Sequence, residues 1–365
     1  MFGQLLVAIV VIAGLSALLA ALLLAADALL LNYGECTITI NEEEETVVEG
    51  GKSLLAGLMD EEIFVPSACG GRGSCGLCKV KVLDGGGPLL PTEMPHLTKE
   101  EIEDNWRLSC QIKIRGDMAL ELPEEILSLR EYRTRVAKIT DLNYDTRMIR
   151  LDMVEPEEIE FTAGQYIQLE TPAYGKTPEP VYRAYSMASP ASNRDYIELI
   201  IRLVPGGICT TYVFELLEKG DEATINGPYG EFTLSDTDRD IVFIAGGSGI
   251  APIRSILFQM AEEGNPRRAT FFYGCNELRD LYLVDEMREF EDKVPNFEYV
   301  PTVAKPEGEW DGETGLVTEA VDRRVEDCSD KEVYLCGSPG MIDASVDLLS
   351  GKGLTEDRTF YDKFA

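Results

Sequence analysis

The chain is 365 residues long, 45% hydrophobic, and carries a formal net charge of −32 at pH 7. This length is too great for one hydrophobic core and predicts two or three domains. The acidic excess excludes nucleic acid as a partner, because every phosphate contact would be made against a repelling field. It fits either high solubility or a docking surface for a basic partner.

The N-terminal segment is strongly apolar. From Phe2 to Ala26 it contains no charged side chain, and this length suffices to cross a bilayer once. A secretory signal peptide is the alternative, but no basic residue precedes the apolar run and the run is longer than a typical signal. We therefore predict a single-pass transmembrane anchor over residues 1–32, inserted in the inner (cytoplasmic) membrane.

Residues 33–128 predict a small α+β domain of the ferredoxin-like β-grasp type. Alternating apolar and polar residues from 36 to 50 predict a β-hairpin, and 53–61 has helical spacing. A capped helix within 97–110 is expected to lead into a strand that carries a cysteine. The segments IKI, at 112–114, and MALEL then close the predicted sheet.

The nine cysteines are odd in number, and three of them fall within ten residues, which favours metal ligation over disulfides. Four have the pattern C-x5-C-x2-C with a fourth member 32 residues later: Cys69, Cys75, Cys78 and Cys110. Four thiolates in a glycine-rich loop predict a [2Fe–2S] cluster, because glycines let backbone N–H groups approach its sulfurs. A structural zinc site is the alternative, although zinc more often takes two CxxC pairs. The pattern resembles the C-x5-C variant of plant-type ferredoxins.

The remainder of the chain predicts two further domains. Residues 129–235 contain short β segments separated by turn residues at regular spacing, which predicts an antiparallel β-barrel. Residues 236–365 alternate buried strands with helices, which predicts an α/β doubly wound parallel sheet. The predicted fold class is therefore multidomain, with an anchor, a [2Fe–2S] domain, a flavin barrel and a nucleotide-binding domain.

Arg183, Tyr185 and Ser186 belong to the sequence RAYS on a predicted barrel strand. An arginine for a pyrophosphate, a tyrosine for an isoalloxazine ring and a hydroxyl near flavin N5 are the contacts that FAD needs. An ordinary amphipathic strand is the alternative. The segment GGICTT precedes a predicted helix and is expected to close around the same pyrophosphate. Its candidate contacts are Gly206, Gly207, Thr210 and Thr211.

The sequence GGSGIAPIRS, at 246–255, follows a buried strand and opens a helix, as a dinucleotide-binding loop does. Tyr273 and the sequence CGSPGM lie at the carboxyl ends of later strands, the edge at which ligands bind. The predicted contacts to NADH are Gly246, Gly247, Gly249, Pro252, Tyr273 and Gly337.

With RAYS, GGSGIAPIRS and CGSPGM in this order, residues 130–365 resemble the ferredoxin-NADP reductase superfamily. Together with the anchor and ferredoxin domain, the whole chain resembles the F subunits of sodium-translocating NADH:quinone oxidoreductases. The resemblance implies hydride transfer from NADH to FAD, then single electrons to the cluster and to membrane redox subunits of a larger complex. The final acceptor would be quinone, with sodium translocation.

The same resemblance implies catalytic roles for Ser186, for Cys336 near the hydride path, and for Phe364 against the flavin face that nicotinamide enters. A packing thiol and a disordered tail are the alternatives for the last two. Glu277 and Asp280 follow the second nucleotide strand, where acids would repel a 2′-phosphate, and this favours NADH over NADPH.

Residues 172–182 are shorter than the insertion that this family carries there, which leaves a second hypothesis open. The chain would then be a membrane-tethered NADH-dependent reductase that serves a different redox protein or an oxygenase. A non-enzymatic iron–sulfur scaffold is disfavoured by the two nucleotide sites. Because NADH and reduced clusters belong to the cytoplasm, residues 33–365 are predicted to lie on that side of the membrane.

Overall fold

The computed structural model describes residues 11–20, 33–175 and 177–363. Residues 11–20 are helical. The rest of the anchor predicted over 1–32 lies outside the described residues, as does Phe364. Within the three described ranges, no helix combines the length and the apolar character needed to cross a membrane.

The chain divides into two compact units, the first of which runs to Ser67 and continues over Gly71–Ser128. Its strands are β1 (Glu35–Ile40), β2 (Glu44–Glu49), β3 (Lys79–Asp84), β4 (Trp106–Leu108) and β5 (Met118–Glu121). Its helices are α1 (Leu54–Asp60), α2 (Lys99–Glu103) and α3 (Glu124–Leu127). The strand order is β2-β1-β5-β3-β4, with β1 and β5 parallel and the other pairs antiparallel. The predicted hairpin and β-grasp sheet are confirmed.

Local sequence explains both longer helices of this unit. The Ser53 hydroxyl accepts a hydrogen bond from Ala56 N–H at the start of α1. Thr98 and Glu101 form a reciprocal capping box at the start of α2, as the predicted capped helix requires.

Two details of the predicted sheet are wrong. Strand β4 ends at Leu108, so Cys110 lies in the turn that follows it. The segment 112–114 is not a strand, because its backbone groups bond to the residues around the start of α1. Ile114 N–H donates to Lys52 O over 3.0 Å, and Ile112 O accepts from Leu54 N–H over 2.8 Å.

The second unit comprises Ala68–Gly70 and Leu129–Ala365, and its first half is the predicted antiparallel barrel. The strands are β6 (Arg130–Asp141), β7 (Thr146–Glu155), β8 (Tyr166–Thr171), β9 (Val181–Ser186), β10 (Tyr196–Arg202) and β11 (Glu222–Tyr229), with helix α4 (Ile208–Glu215) before β11. Their order is β10-β7-β6-β11-β8-β9. A bridge between Met187 and Leu199 joins the two edges of this sheet.

The second half of this unit is a six-stranded parallel sheet in the order β15-β14-β13-β12-β16-β17. Its strands are β12 (Asp240–Gly246), β13 (Ala269–Cys275), β14 (Phe297–Val303), β15 (Glu313–Thr314), β16 (Lys331–Gly337) and β17 (Thr359–Lys363). Its helices are α5 (Ile250–Glu263), α6 (Val284–Lys293), α7 (Val317–Arg324) and α8 (Pro339–Ser350). The predicted doubly wound sheet is confirmed.

Chain order reverses between β12 and β16, since β13 to β15 lie on one side of β12 and β16 on the other. Ligands of such sheets bind at the carboxyl ends of the strands beside this reversal. One continuous core joins the two halves of the unit. In it, Ala188, Ile200 and Phe232 of the barrel half pack with Phe243 and Ile253 of the parallel-sheet half.

Candidate functional site

The cysteine loop precedes β3 and has an irregular backbone. Gly71, Gly73 and Gly76 all adopt positive φ, which other residues rarely do. A Cβ on Gly73 would lie 2.6 Å from Gln111 Nε2, and one on Gly76 would lie 2.9 Å from the Nδ1 atom of His96. The loop therefore needs glycine both for its dihedral angles and for its close contacts.

None of the predicted ligands forms a disulfide with another described cysteine; three of them are buried and Cys75 is half-buried. Cys78 and Cys110 are near neighbours, and the hydrogen bond between their thiols, followed by burial, raises the pKa of Cys78. Gln111 Nε2 donates to Cys110 Sγ over 3.5 Å. The turn that carries Cys110 thus directs a polar hydrogen toward its sulfur.

No three His, Cys, Asp or Glu side chains of the described residues meet closely enough to hold one metal ion. A [2Fe–2S] cluster does not need all its ligands around one metal ion, because its four thiolates are shared between two irons. Four thiols, left-handed glycines and sulfur-directed donors fit that group. Once bound, the thiols would be thiolates and the raised pKa of Cys78 would no longer apply.

Strand β9 carries the sequence RAYS. Ser186 is 4% exposed, and its Oγ has no hydrogen-bond partner among the described residues. A buried hydroxyl without a partner costs free energy, so it indicates a missing acceptor at this point. Tyr185 beside it is half-buried, and burial raises the pKa of its phenol. Flavin N5 and the isoalloxazine ring fit these two side chains.

Helix α4 begins beside the same strand, because Cys209 Sγ contacts Val181 O over 3.6 Å. Gly207 is its N-cap, and Gly206 has φ of +73°. The start of α4 and Arg183 on β9 therefore belong to neighbouring elements, as a divided pyrophosphate site requires. The Thr210 hydroxyl, however, is already engaged, since it accepts from Val204 N–H over 3.1 Å.

The nucleotide loop crosses the carboxyl ends of three strands. A Cβ on Gly249 would lie 2.1 Å from Cys336 O, and one on Gly246 would lie 3.2 Å from Met341 Sδ. Tyr273 OH donates to Gly247 O over 3.2 Å. The loop is thereby held against β13 and β16, at the reversal of chain order.

Two predicted nucleotide contacts have additional structural roles. Pro252 is buried in the first turn of α5, where a residue without an N–H costs no helix hydrogen bond. Gly337 has φ of +147°, and a Cβ there would lie 3.2 Å from Gly246 O.

Cys336 is fully buried in the core that joins barrel and sheet, and burial raises the pKa of its thiol well above the usual value. In β-sheet register it lies opposite Asp362 of β17. Burial raises the pKa of the Asp362 carboxyl to about 6. The sequence analysis missed Asp362, and its only signal is the alternation of apolar and polar residues in TFYDK.

Sequence reasoning also missed Arg254, which is 6% exposed on α5. Its guanidinium donates to Ala188 O, Glu198 and Glu286. The signal in the sequence was an arginine within the otherwise apolar stretch GGSGIAPIRSILF. An arginine buried among such residues needs partners for its charge.

Three domain families match the chain in the expected order. Residues 38–115 match the 2Fe-2S iron-sulfur cluster binding domain, residues 133–234 the oxidoreductase FAD-binding domain, and residues 243–347 the oxidoreductase NAD-binding domain. These matches confirm the predicted [2Fe–2S], FAD and NADH cofactors.

Similar full-length proteins are named as F subunits of the Na(+)-translocating NADH-quinone reductase. The Neisseria meningitidis protein is 35% identical over 391 residues, with 95% of this chain and 96% of that protein covered. The Actinobacillus succinogenes protein is 36% identical over 394 residues, with 95% of each covered. Both alignments are longer than this chain of 365 residues, so these relatives contain segments that it lacks.

Two solved structures are similar over most of the chain. The Amycolatopsis cytochrome P450 reductase GcoB is 28% identical with a TM-score of 0.73, covering 90% of this chain and 98% of its own. The ferredoxin reductase in carbazole 1,9a-dioxygenase is 26% identical with a TM-score of 0.70, covering 91% and 98%.

Proposed function

The chain belongs to the family of F subunits of sodium-translocating NADH-quinone reductases, and from this premise we propose that electrons enter such a complex through it. It is an NADH-oxidising flavin iron–sulfur oxidoreductase, and its cofactors are FAD and one [2Fe–2S] cluster. The observation that carries the proposal is the buried Ser186 hydroxyl at the end of β9, which has no hydrogen-bond partner in the part of the chain that the structure describes.

In the proposed site, Ser186 would donate to flavin N5 and Tyr185 would contact the isoalloxazine ring. Arg183 and the Gly206 N–H would hold the pyrophosphate, with the first turn of α4 favouring its negative charge, whereas Gly207 N–H already donates to Val204 O over 2.8 Å. Thr210 shapes the loop through Val204, and Thr211 is left for the phosphate.

We assign the dinucleotide of NADH to the loop Gly246–Gly249, with Tyr273 fixing that loop from β13. When bound, FAD would supply acceptance of a hydride and release of single electrons, and a [2Fe–2S] cluster would supply a one-electron acceptor. The protein supplies no general acid or base for this step. Its side chains orient the two rings and exclude water, and the fully buried Cys336 packs beneath the nicotinamide position.

The loop after β13 favours NADH. Arg279 pairs with Glu277 over 2.7 Å and lies over the Tyr144 ring, 4.7 Å from its centroid. Tyr144 OH in turn donates to Asp280 over 2.9 Å. The one cation of this loop is thus neutralised, and the remaining carboxylate would repel a 2′-phosphate.

We further propose that residues 1–32 anchor the chain by one span and that residues 33–365 lie in the cytoplasm. Residues 33–128 would hold the cluster through which electrons leave for membrane redox subunits, and quinone would be the final acceptor, with sodium translocation. Protease treatment of closed vesicles tests the orientation: the body should be cleaved in inside-out vesicles and protected in right-side-out ones.

A second candidate function is a reductase that serves an oxygenase or another redox protein. It is favoured by the similarity to the P450 reductase GcoB and to the carbazole dioxygenase reductase. Sodium-dependent quinone reduction by membranes that contain the chain supports the first function. Quinone reduction indifferent to sodium, with electrons instead delivered to a soluble ferredoxin or oxygenase, supports the second.

The internal electron path is tested on the full-length chain in detergent. Anaerobic titration with NADH, followed by visible absorption and low-temperature EPR, should bleach the flavin and then produce the signal of a reduced [2Fe–2S] cluster. Bleaching without that signal, in protein whose iron content is complete, would contradict the path from flavin to cluster.

The role of Ser186 is tested by S186A, with S189A as the matched control. Ser189 is a buried serine of the same segment whose Oγ already accepts from Glu198 N–H over 3.2 Å. S186A should retain FAD but slow its reduction by NADH by roughly ten- to a hundredfold, as loss of one positioning contact does. Equal rates in the two variants would remove Ser186 from the site.

A further inference from the structure

Ser109 is a fully buried serine next in sequence to the predicted cluster ligand Cys110. Its Oγ makes no hydrogen bond that meets ordinary geometry within the part of the chain that the structure describes. Buried hydroxyls are normally paired, because an unpaired one forfeits its bonds to water without compensation. This hydroxyl therefore indicates an acceptor that is in place only in the cluster-loaded protein.

The backbone around Ser109 is held firmly in place. Ser109 N–H donates to Cys78 O over 2.8 Å, which ties it to a second predicted ligand. The preceding Leu108 N–H donates to the buried Glu93 carboxylate over 3.0 Å, and Glu93 pairs with Arg107 over 2.7 Å. These bonds fix the backbone from which the Ser109 side chain projects.

The Ser109 side chain faces Cys78 across the sheet. Lys79 pairs with Leu108 in antiparallel register, and the Ser109 N–H bond to Cys78 O continues that pairing by one residue, so that Cys78 and Ser109 are opposite neighbours. Side chains of directly opposite residues lie on the same face of a sheet, within contact distance of each other. On the other side of Cys110, Gln111 Nε2 donates to Cys110 Sγ over 3.5 Å. The two residues that flank Cys110 thus carry donors for two different sulfurs.

We propose that the Ser109 hydroxyl donates a hydrogen bond to Cys78 Sγ in the cluster-loaded protein and raises the reduction potential of the cluster. The proposal rests on the proposed function, because it takes Cys78 as a cluster ligand. One electron enters the cluster and Ser109 keeps its proton. Because the reduced cluster carries one more negative charge, a donor at its sulfur stabilises the reduced state more than the oxidised state. Burial strengthens this effect, since little water screens the site.

The test compares full-length wild type with S109A and S109T in EPR-monitored redox titrations. S109A should shift the cluster potential to a more negative value, lowering the ratio of reduced to oxidised cluster by roughly three- to tenfold, where tenfold is about 59 mV for one electron. S109T keeps the hydroxyl and should stay close to wild type. EPR reads only molecules that hold a cluster, so incomplete loading does not obscure the potential.

Ser345 provides the control, because it is a buried serine on α8 whose Oγ donates to Met341 O over 2.8 Å. S345A should leave the cluster potential unchanged. If S109A holds no cluster at all, S109C replaces it in the test. Its S–H group is a weaker donor than the serine hydroxyl, so the cluster potential of S109C should still be lower than that of wild type. An unchanged potential in S109A, or in S109C in that case, overturns the proposal.

The experiment also separates this proposal from the proposed function. The rate of flavin reduction by NADH is a property of the second unit and should be the same in all these variants. Absence of a [2Fe–2S] signal from wild type itself would overturn the cluster assignment together with the role of Ser109. A wild-type signal with no effect of Ser109 would overturn the role of the serine alone.

Discussion

Arg254 Nη1 donates to the Glu198 carboxylate over 2.8 Å, which joins helix α5 of the parallel sheet to strand β10 of the barrel. The same guanidinium forms two hydrogen bonds of 2.9 Å with Glu286 on α6. Its Nη1 also donates to Ala188 O over 2.6 Å. Since the nucleotide loop leads directly into α5, this one side chain fixes that loop relative to the flavin barrel.

Replacing Arg254 with Met should destabilise the protein by about 3–5 kcal/mol, because it leaves two carboxylates without their buried partner. Urea unfolding monitored by intrinsic fluorescence measures the loss. R288A is the matched control: Arg288 pairs with Glu291 over 3.0 Å at the surface, and its loss should cost about 0–1 kcal/mol. Equal stabilities of R254M and R288A would show that the hydrogen bonds of Arg254 do not hold α5 to the barrel.

Gly249 leaves no space for a side chain, since an added Cβ would lie 2.1 Å from Cys336 O. G249A should displace the nucleotide loop and raise the KM for NADH by roughly ten- to a hundredfold, while FAD content stays complete. Steady-state reduction of ferricyanide measures this effect. G340A is the control, because Gly340 is the second residue of α8, three positions after Gly337, and an added Cβ there meets no atom within 4 Å. Similar KM values for the two variants would contradict the proposed loop contact.

The pairing of Arg279 with Glu277 should govern the choice of dinucleotide. E277Q frees the guanidinium for a 2′-phosphate and should raise kcat/KM for NADPH by about three- to tenfold, or roughly 0.6–1.4 kcal/mol, as one exposed charge can. Activity with NADH should change little. The double variant E277Q/R279Q should lose the gain, and a gain that persists there would exclude Arg279 as its source.

Asp362, on the C-terminal strand β17, makes the stability of the folded protein depend on pH. Burial raises the pKa of its carboxyl from 3.8 to about 6, so the folded state holds its proton more tightly than the unfolded state does. The stabilising effect of this proton is complete below about pH 4 and is lost as pH rises through 6. D362N should therefore raise the melting temperature above pH 6 relative to wild type.

The difference between the D362N and wild-type melting curves, measured from pH 4 to 8, isolates this one group. Asp357 in the same tail provides a control of opposite sign, because its hydrogen bond with the Thr355 hydroxyl lowers the pKa of the carboxyl. D357N should not become stabilising as pH rises. If the melting temperatures of D362N and wild type changed in parallel across this pH range, the pKa of Asp362 in the folded protein would be the ordinary one.

The sequence allowed the modules and their motifs to be predicted because the relevant signals are local. Alternation defines the strands, the capping box at Thr98 and Glu101 defines a helix start, and GGSG after an apolar run defines a nucleotide loop. Element ends were less certain: Cys110 was expected on a strand and lies beyond it, because pairing with β3 stops at Leu108.

Long-range side-chain partners could not be predicted. Arg254 and Glu198 are 56 positions apart, and nothing near either residue indicates the other. The donor role of Ser109 depends on a neighbour 31 positions earlier in the chain, Cys78, which only the fold of β3 against β4 brings beside it. Such contacts follow from tertiary packing, which periodicity does not encode.

The parallel pairing of β1 with β5 has a mechanical consequence. Because Ile38 pairs with Met118 and Ile40 with Leu120, the chain enters the first unit at one end of this strand pair and leaves at the other. Asn41 extends the pair, donating from Nδ2 to Leu122 O over 3.0 Å and accepting from Leu122 N–H over 2.8 Å. Tension along the chain therefore acts in shear on all these bonds at once rather than peeling them apart singly. Single-molecule pulling should find this unit the more force-resistant one, and N41A should weaken it.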